Sequence, residues 1–150
     1  MKLFTLISLF LLSSIASADI SGTALIVDGD TITISGNKIR LNGIDTPEKD
    51  QTCRRAGVTW RCGYEATETL RNWTYTKEVR CVGDTKDRYG GLIANCFVDG
   101  YNVNARLVYE GLALAYRKYS KQYVPEEDKA RAAKRGIWAE CLSLLGTGAK

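Results

Sequence analysis

Residues 20–48 read ISGTALIVDGDTITISGNKIRLNGIDTPE, and this stretch decides the fold. Apolar and polar residues alternate over β-branched runs that break at Asp28-Gly29 and again at Gly36-Asn37. Period-two alternation with such breaks spells three strands in a meander, from Ile20 to Ile44. Pairing about the second break sets Ile34 opposite Ile39 and Ile32 opposite Leu41, so one register lines four apolar side chains on one face.

Downstream, Ala66, Leu70 and Trp73 have helical spacing within residues Tyr64 to Thr76. Val79 to Val82 and Leu92 to Val98 make a hairpin around the turn Asp87 to Gly91. A second helix is expected from Asn102 to Glu110 with Gly111 as its C-terminal cap, and Leu112 to Tyr116 suits a short closing strand. The last helix starts at Pro125, carries Glu126, Glu127 and Asp128 in its first turn and Lys134 with Arg135 in its last, and stops at Gly136. Five short strands with one helix between the third and fourth and two near the end predict an α+β fold. Its form would be a five-stranded OB-type β-barrel with three α-helices packed on it.

Composition narrows the chemistry. The chain has 150 residues and no histidine, which removes Ser-His-Asp and Cys-His nucleophile systems and the usual imidazole acid or base. Reactions must then be carried by carboxylates, arginines, hydroxyls or a metal bound through oxygen. The formal net charge of +4 tolerates a polyanionic partner without proving one. Met1-Lys2, the apolar run Leu3 to Leu12 and the small-residue site Ala16-Ser17-Ala18 have the layout of a secretory signal peptide. Residues 1–18 are therefore expected to be removed on export, leaving residues 19–150 as one domain, secreted or periplasmic, monomeric and without stable membrane association.

Five cysteines in a chain bound for an oxidising compartment predict disulfides. Cys53 and Cys62 would close a short polar loop, and Cys81 and Cys96 lie symmetrically about the Asp87-Arg88-Tyr89-Gly90 turn, leaving Cys141 over. Zinc is the rival for these thiols, but no C-x₂-C spacing occurs and histidine is absent.

Two clusters carry candidate chemistry: Asp28-Gly29-Asp30-Thr31, and Arg40 followed by Asp45-Thr46-Pro47-Glu48. The hairpin register opposes residue 30 to residue 43, which brings Asp30 and Asp45 to the same side of the pleat. Two carboxylates beside turn carbonyls form an oxygen-rich site suited to Ca²⁺ or Mg²⁺. Ordinary turns use the same residues. Strict alternation would also send Arg40 to the opposite face, unless a bulge near Gly43 re-aims it.

The order of parts is more specific. Asp-Gly-Asp-Thr is followed by Arg, Asp-Thr-Pro-Glu, Asp-Arg-Tyr-Gly, Gly-Leu-Ala-x-Ala-Tyr and a charged helix ending Gly-Ile-Trp. This series resembles the staphylococcal nuclease (thermonuclease) family along essentially the whole chain after the signal. Gln51-x-Cys53 and Trp60-x-Cys62-Gly63 resemble its exported bacterial branch with extra cysteines. The resemblance implies Ca²⁺-dependent hydrolysis of DNA and RNA to 3′-phosphate products. It further implies metal binding by Asp30, Asp45 and the Thr46 carbonyl, with Glu48 at the attacking water, Arg40 on the phosphate, and Tyr89 with Tyr116 or Tyr119 on the nucleotide.

One departure stands out. Where the family has a second catalytic arginine after Asp-Arg-Tyr-Gly, this chain has Gly91. Loss of such a cation costs about 10³ to 10⁵ in rate, roughly 4–7 kcal/mol of barrier. Arg88, Arg54, Arg55 and Arg61 are the candidate replacements. Three function classes follow: an exported nuclease, active or attenuated; a non-catalytic OB module that binds nucleic acid or another polyanion through basic and aromatic side chains; and a module acting near polysaccharide, favoured only by the paired carboxylates.

Overall fold

The computed structural model describes residues 17–139. The proposed signal segment, apart from Ser17 and Ala18, and Cys141 lie outside them.

The first strand, β1 (Ala18–Asp28), is followed by β2 (Thr31–Ile34), β3 (Asn37–Leu41) and the two-residue β4 (Ile44–Asp45). A small hairpin, β5 (Cys53–Arg55) with β6 (Val58–Trp60), leads into α1 (Cys62–Thr74). Next come β7 (Glu78–Lys86), β8 (Leu92–Val98), β9 (Tyr101–Asn102), α2 (Val103–Tyr109), β10 (Leu114–Ala115) and α3 (Val124–Ala132). The sheet runs β3-β2-β1-β7-β8-β9, and parallel pairing of β3 with β8 closes β1, β2, β3, β7 and β8 into a five-stranded barrel. The α+β, OB-type architecture expected from the sequence is the one found.

Alternation decides what fills the barrel. Ile32, Ile34, Ile39, Leu41, Val79, Cys81, Ala94 and Cys96 are almost wholly buried. Ala66 and Leu70 of α1 and Val103, Leu107 and Val108 of α2 join the same core. Truncating any of the isoleucines to alanine would cost about 2–5 kcal/mol. One polar group sits inside without penalty: Asn104 donates to the carbonyls of Asn42 at 3.0 Å and Ala94 at 3.1 Å and accepts from the Cys96 amide at 3.0 Å. Each of its amide atoms is therefore engaged, as a buried amide requires.

The expected hairpin register is two residues off. Ile32 opposes Ile39, Ile34 opposes Asn37, and the Leu41 amide donates to the Asp30 carbonyl at 2.8 Å. Ser35 and Gly36 both adopt positive φ, +48° and +79°, making a two-residue connection of the kind that matches strand twist. An even slip leaves every side chain on its original face, which is why the core prediction survives it.

Both predicted disulfides are present. Cys81 opposes Cys96 across β7 and β8 and bonds to it, and Cys53 bonds to Cys62. The segment between the latter pair is a two-stranded hairpin, with Cys53 opposite Trp60. Leu114 and Ala115 pair only with Asp45 and Ile44, so β10 makes a separate ribbon with β4 and is no barrel strand.

The last helix ends at Ala132, short of Gly136. Lys134 takes the left-handed position with φ +54°, its amide reaching Arg131 at 3.1 Å while the Arg135 amide reaches Ala130 at 2.9 Å. That bond pattern closes a helix C-terminus, ordinarily with glycine. Gly136 serves a close approach instead. A Cβ there would lie 2.1 Å from the Gly111 carbonyl oxygen, and Ile137 donates to that oxygen at 2.9 Å. Gly111 itself caps α2, as expected, with φ +71°.

Candidate active site

At one end of the barrel the β1–β2 turn, the end of β3 and the segment after β4 converge. Asp30 lies in the turn and not on the ladder, and only 8% of it is exposed. Its Oδ2 accepts from Arg40 at 3.1 Å and its Oδ1 from the Thr31 hydroxyl at 2.8 Å. Arg40 opposes Thr31 in the true register. The turn position of Asp30, and no bulge at Gly43, brings the two together; Gly43 instead makes a left-handed turn with φ +72°.

Burial pushes the Asp30 carboxyl above its ordinary value. The Thr31 hydroxyl and the Arg40 charge pull it back, while the charges of Asp28 and Asp45 add to the rise. Asp45 therefore stands close enough to act on Asp30. Asp28 holds the turn itself in place, for its Oδ1 accepts from the Gly29 amide at 2.7 Å and from Thr67 of α1 at 3.3 Å.

Gly29 fixes how closely the loops approach. A Cβ on it would meet Thr46 Oγ1 at 2.9 Å and the Ala66 methyl at 3.2 Å. The Asp30 turn thus rests directly on Thr46, itself 8% exposed. Among the described residues no group of three or more His, Cys, Asp or Glu side chains forms a metal cage. A cation here would be held by Asp30, Asp45 and the Thr46 carbonyl, with water completing the shell. These are hard oxygen donors of the kind suited to Ca²⁺, and the charges of Asp28 and Asp45, which add to the rise at Asp30, are of the sign a divalent cation would offset.

Glu48 follows, exposed, at the start of a turn closed by the Gln51 amide donating to the Glu48 carbonyl at 2.7 Å. The Gln51 side-chain oxygen accepts from the Glu48 amide at 3.2 Å. In the sequence Gln51 is legible only as part of a motif, and its spacing from Glu48 and Cys53 is the one signal of this contact.

The 87–91 turn flanks Arg40 because β3 runs parallel to β8, with Arg40 opposite Ile93. Asp87 accepts from the amides of Gly91 and Tyr89, both at 2.9 Å. The Gly91 amide above all, then the Tyr89 amide and the charges of Lys38 and Arg40, hold its carboxyl below the ordinary value. Tyr89 projects outward, 76% exposed, with the Arg88 guanidinium 4.9 Å from its ring centre. On the other flank the Tyr116 amide donates to the Gly43 carbonyl at 2.9 Å, and the Tyr116 and Tyr119 rings meet edge to face at 4.8 Å.

Of the suggested stand-ins for a second arginine, Arg55 stacks on Trp60 and pairs with Glu65 at 3.5 Å. Arg61 stacks on Tyr64 of α1. Arg88 alone sits on the 87–91 turn.

These features define a class: an OB-type barrel with an acidic, oxygen-donating cluster at one end, flanked by arginine and exposed tyrosines. The family model described as staphylococcal nuclease homologue matches residues 38–140, and the chain belongs to that family. It is 35% identical over 127 residues to the succinoglycan biosynthesis protein ExoI of Rhizobium meliloti, a match covering 82% of this chain and 66% of that protein. A Haemophilus influenzae protein described as an uncharacterized endonuclease is 36% identical over 122 residues, covering 77% of this chain and 64% of its own. The micrococcal nuclease of Shigella flexneri is 32% identical over 143 residues, covering 83% and 77%. The chain thus spans slightly under two thirds of the length of the first two.

Proposed function

We propose that this protein is an exported, monomeric, Ca²⁺-dependent nuclease that hydrolyses DNA or RNA phosphodiesters, attenuated by Gly91. The observation that carries the reading is the meeting of Asp30, Arg40, Asp45 and Thr46, with the Glu48 turn adjoining, in a family whose relatives include named nucleases. Asp30, Asp45 and the Thr46 carbonyl would hold Ca²⁺, which when bound supplies positive charge against the phosphate. Arg40 releases part of its hold on Asp30 to grip a phosphate oxygen through its planar fork. Glu48 orients the attacking water and takes its proton. Arg88, Tyr89, Tyr116 and Tyr119 flank the nucleotide, the exposed rings offering faces to bases.

Export through the 1–18 signal accords with the two disulfides. Among the described residues no helix is long and apolar enough to cross a membrane.

Mature protein with plasmid DNA and millimolar Ca²⁺ should give degradation that a chelator stops, and Glu48→Gln should abolish cutting while sparing binding. Intact but retarded DNA would replace this reading with a non-catalytic polyanion-binding module, which Gly91 and the exposure of Tyr89 and Tyr119 favour.

A further inference from the structure

Glu48 is exposed, and a freely moving carboxylate is a poor base for a water held at one place. Its backbone is fixed from two directions. Gln51 closes a reciprocal clamp, donating its amide to the Glu48 carbonyl at 2.7 Å and accepting the Glu48 amide on its side-chain oxygen at 3.2 Å. The Gln51 carbonyl in turn accepts from the Gly63 amide at 3.3 Å, with the disulfide-bonded Cys62 sulfur 3.6 Å away.

The turn is also pressed onto α1. A Cβ on Gly63 would fall 1.7 Å from the Glu48 carbonyl oxygen, so only glycine admits this approach. Cys53, two residues beyond Gln51, is bonded to Cys62 at the helix start. Glu48 is thereby referred to a rigid helix through one glutamine.

We propose that Gln51 is a positioning residue for Glu48: its side-chain carbonyl holds the Glu48 backbone in the orientation from which the carboxylate acts, and the Cys53–Cys62 bridge and Gly63 hold Gln51. This rests on the nuclease reading for what Glu48 does, and on geometry alone for the clamp.

The test uses the full mature chain and compares Gln51→Ala with Gln51→Glu, which keeps an acceptor at the same reach. Without Ca²⁺ or nucleic acid, amide exchange at Glu48 should quicken about three- to tenfold in Gln51→Ala, as expected for loss of one exposed hydrogen bond. Exchange at Ile39 and Cys96 should not change, and Gln51→Glu should stay near wild type. With Ca²⁺ and plasmid, kcat should fall on the order of ten- to a hundredfold in Gln51→Ala at unchanged KM, with partial recovery in Gln51→Glu. Unchanged exchange at Glu48 overturns the clamp. Faster exchange with unchanged kcat overturns the positioning role. An inactive wild type would sink the nuclease reading separately, and the exchange comparison would still decide the clamp.

Discussion

Substituting Gly91→Arg probes the position at which the family resemblance implies an arginine that this chain lacks. The backbone at Gly91 requires no left-handed φ, and an added Cβ would sit 3.0 Å from Asp87 Oδ2 and 3.4 Å from Asp87 Cγ. Those are atoms of a side chain and not of the backbone, so a shift of a few tenths of an ångström admits the residue. Residue 91 immediately precedes β8, two residues before Ile93, which opposes Arg40, so a long side chain there would start at the end of the strand that runs beside Arg40. A guanidinium there would add about 10³ to 10⁵ in rate if it meets the transition-state phosphate as other catalytic arginines do. Asp87 is the competitor, but an exposed pair is worth only about 0.2–1 kcal/mol, at most some fivefold. A net gain of at least about a hundredfold should remain. Initial rates on plasmid and on a fluorescent single strand, over a range of substrate concentrations, should show the gain in kcat with KM little changed, because the contact forms in the transition state. Stability should change little. A gain below about threefold, in a background where wild type cuts in a chelator-sensitive manner, would refute the placement of residue 91 beside Arg40.

Gly29→Ala should cost about 1–3 kcal/mol in urea unfolding, because its methyl would press on Thr46 and Ala66; on the proposed Ca²⁺ reading, added Ca²⁺ should raise Tm and Gly29→Ala should shrink that rise, and an undiminished rise would separate Thr46 from the ion. Removing Cys81 and Cys96 together as alanines should lower stability by about 3 kcal/mol, given a sequence separation of 15. Glu127 is buried, and burial alone would raise its carboxyl. Hydrogen bonds from Arg131 and Arg117 and their charges outweigh this and hold it below the ordinary value. A lowered folded value means stability fully present above about pH 4.3, the value in the unfolded chain, and lost as pH falls through the folded value. Glu127→Gln should therefore destabilise by about 1–3 kcal/mol at pH 7 and by much less near pH 3, checked by urea midpoints at both.

Side-chain faces are legible in the sequence and distances between backbones are not. The alternation of Ile32, Ile34, Ile39 and Leu41 names the core correctly although the register it suggests is two residues off, since period two is blind to even slips. What sets the register is the pair of left-handed residues Ser35 and Gly36, and serine does not advertise that conformation. The same gap displaces the end of the last helix: Gly136 reads as a cap, yet Lys134 takes the left-handed place. Cys81–Cys96 is readable because the turn between them is symmetric, and Cys53–Cys62 because its loop is short.

Glycine in this molecule marks contact between chain segments as well as turns, and this connects fold to site. Gly29 lets the Asp30 turn touch Thr46, and Gly63 lets the Glu48 turn touch α1. A methyl group at Gly63 would push the Glu48 turn off α1 by an ångström or more, a displacement able to cost about a hundredfold in rate, whereas at Gly29 the Asp30 turn and Thr46 would have to part by only a few tenths of an ångström. Both contacts converge on α1, through Ala66 and through Gly63 itself, and Thr67 on the same helix ties down Asp28. The helix therefore acts as the common datum for the acidic turn and the Glu48 segment, and the disulfide at its first residue extends that datum to Gln51. Arg40 and the 87–91 turn are referenced differently, through the parallel β3–β8 pairing that closes the barrel. The two halves of the site thus rest on separate supports. A change at position 91 should leave the acidic half intact, and for that reason glycine in place of the arginine that the family resemblance implies need not have cost the protein its fold or the proposed cation site.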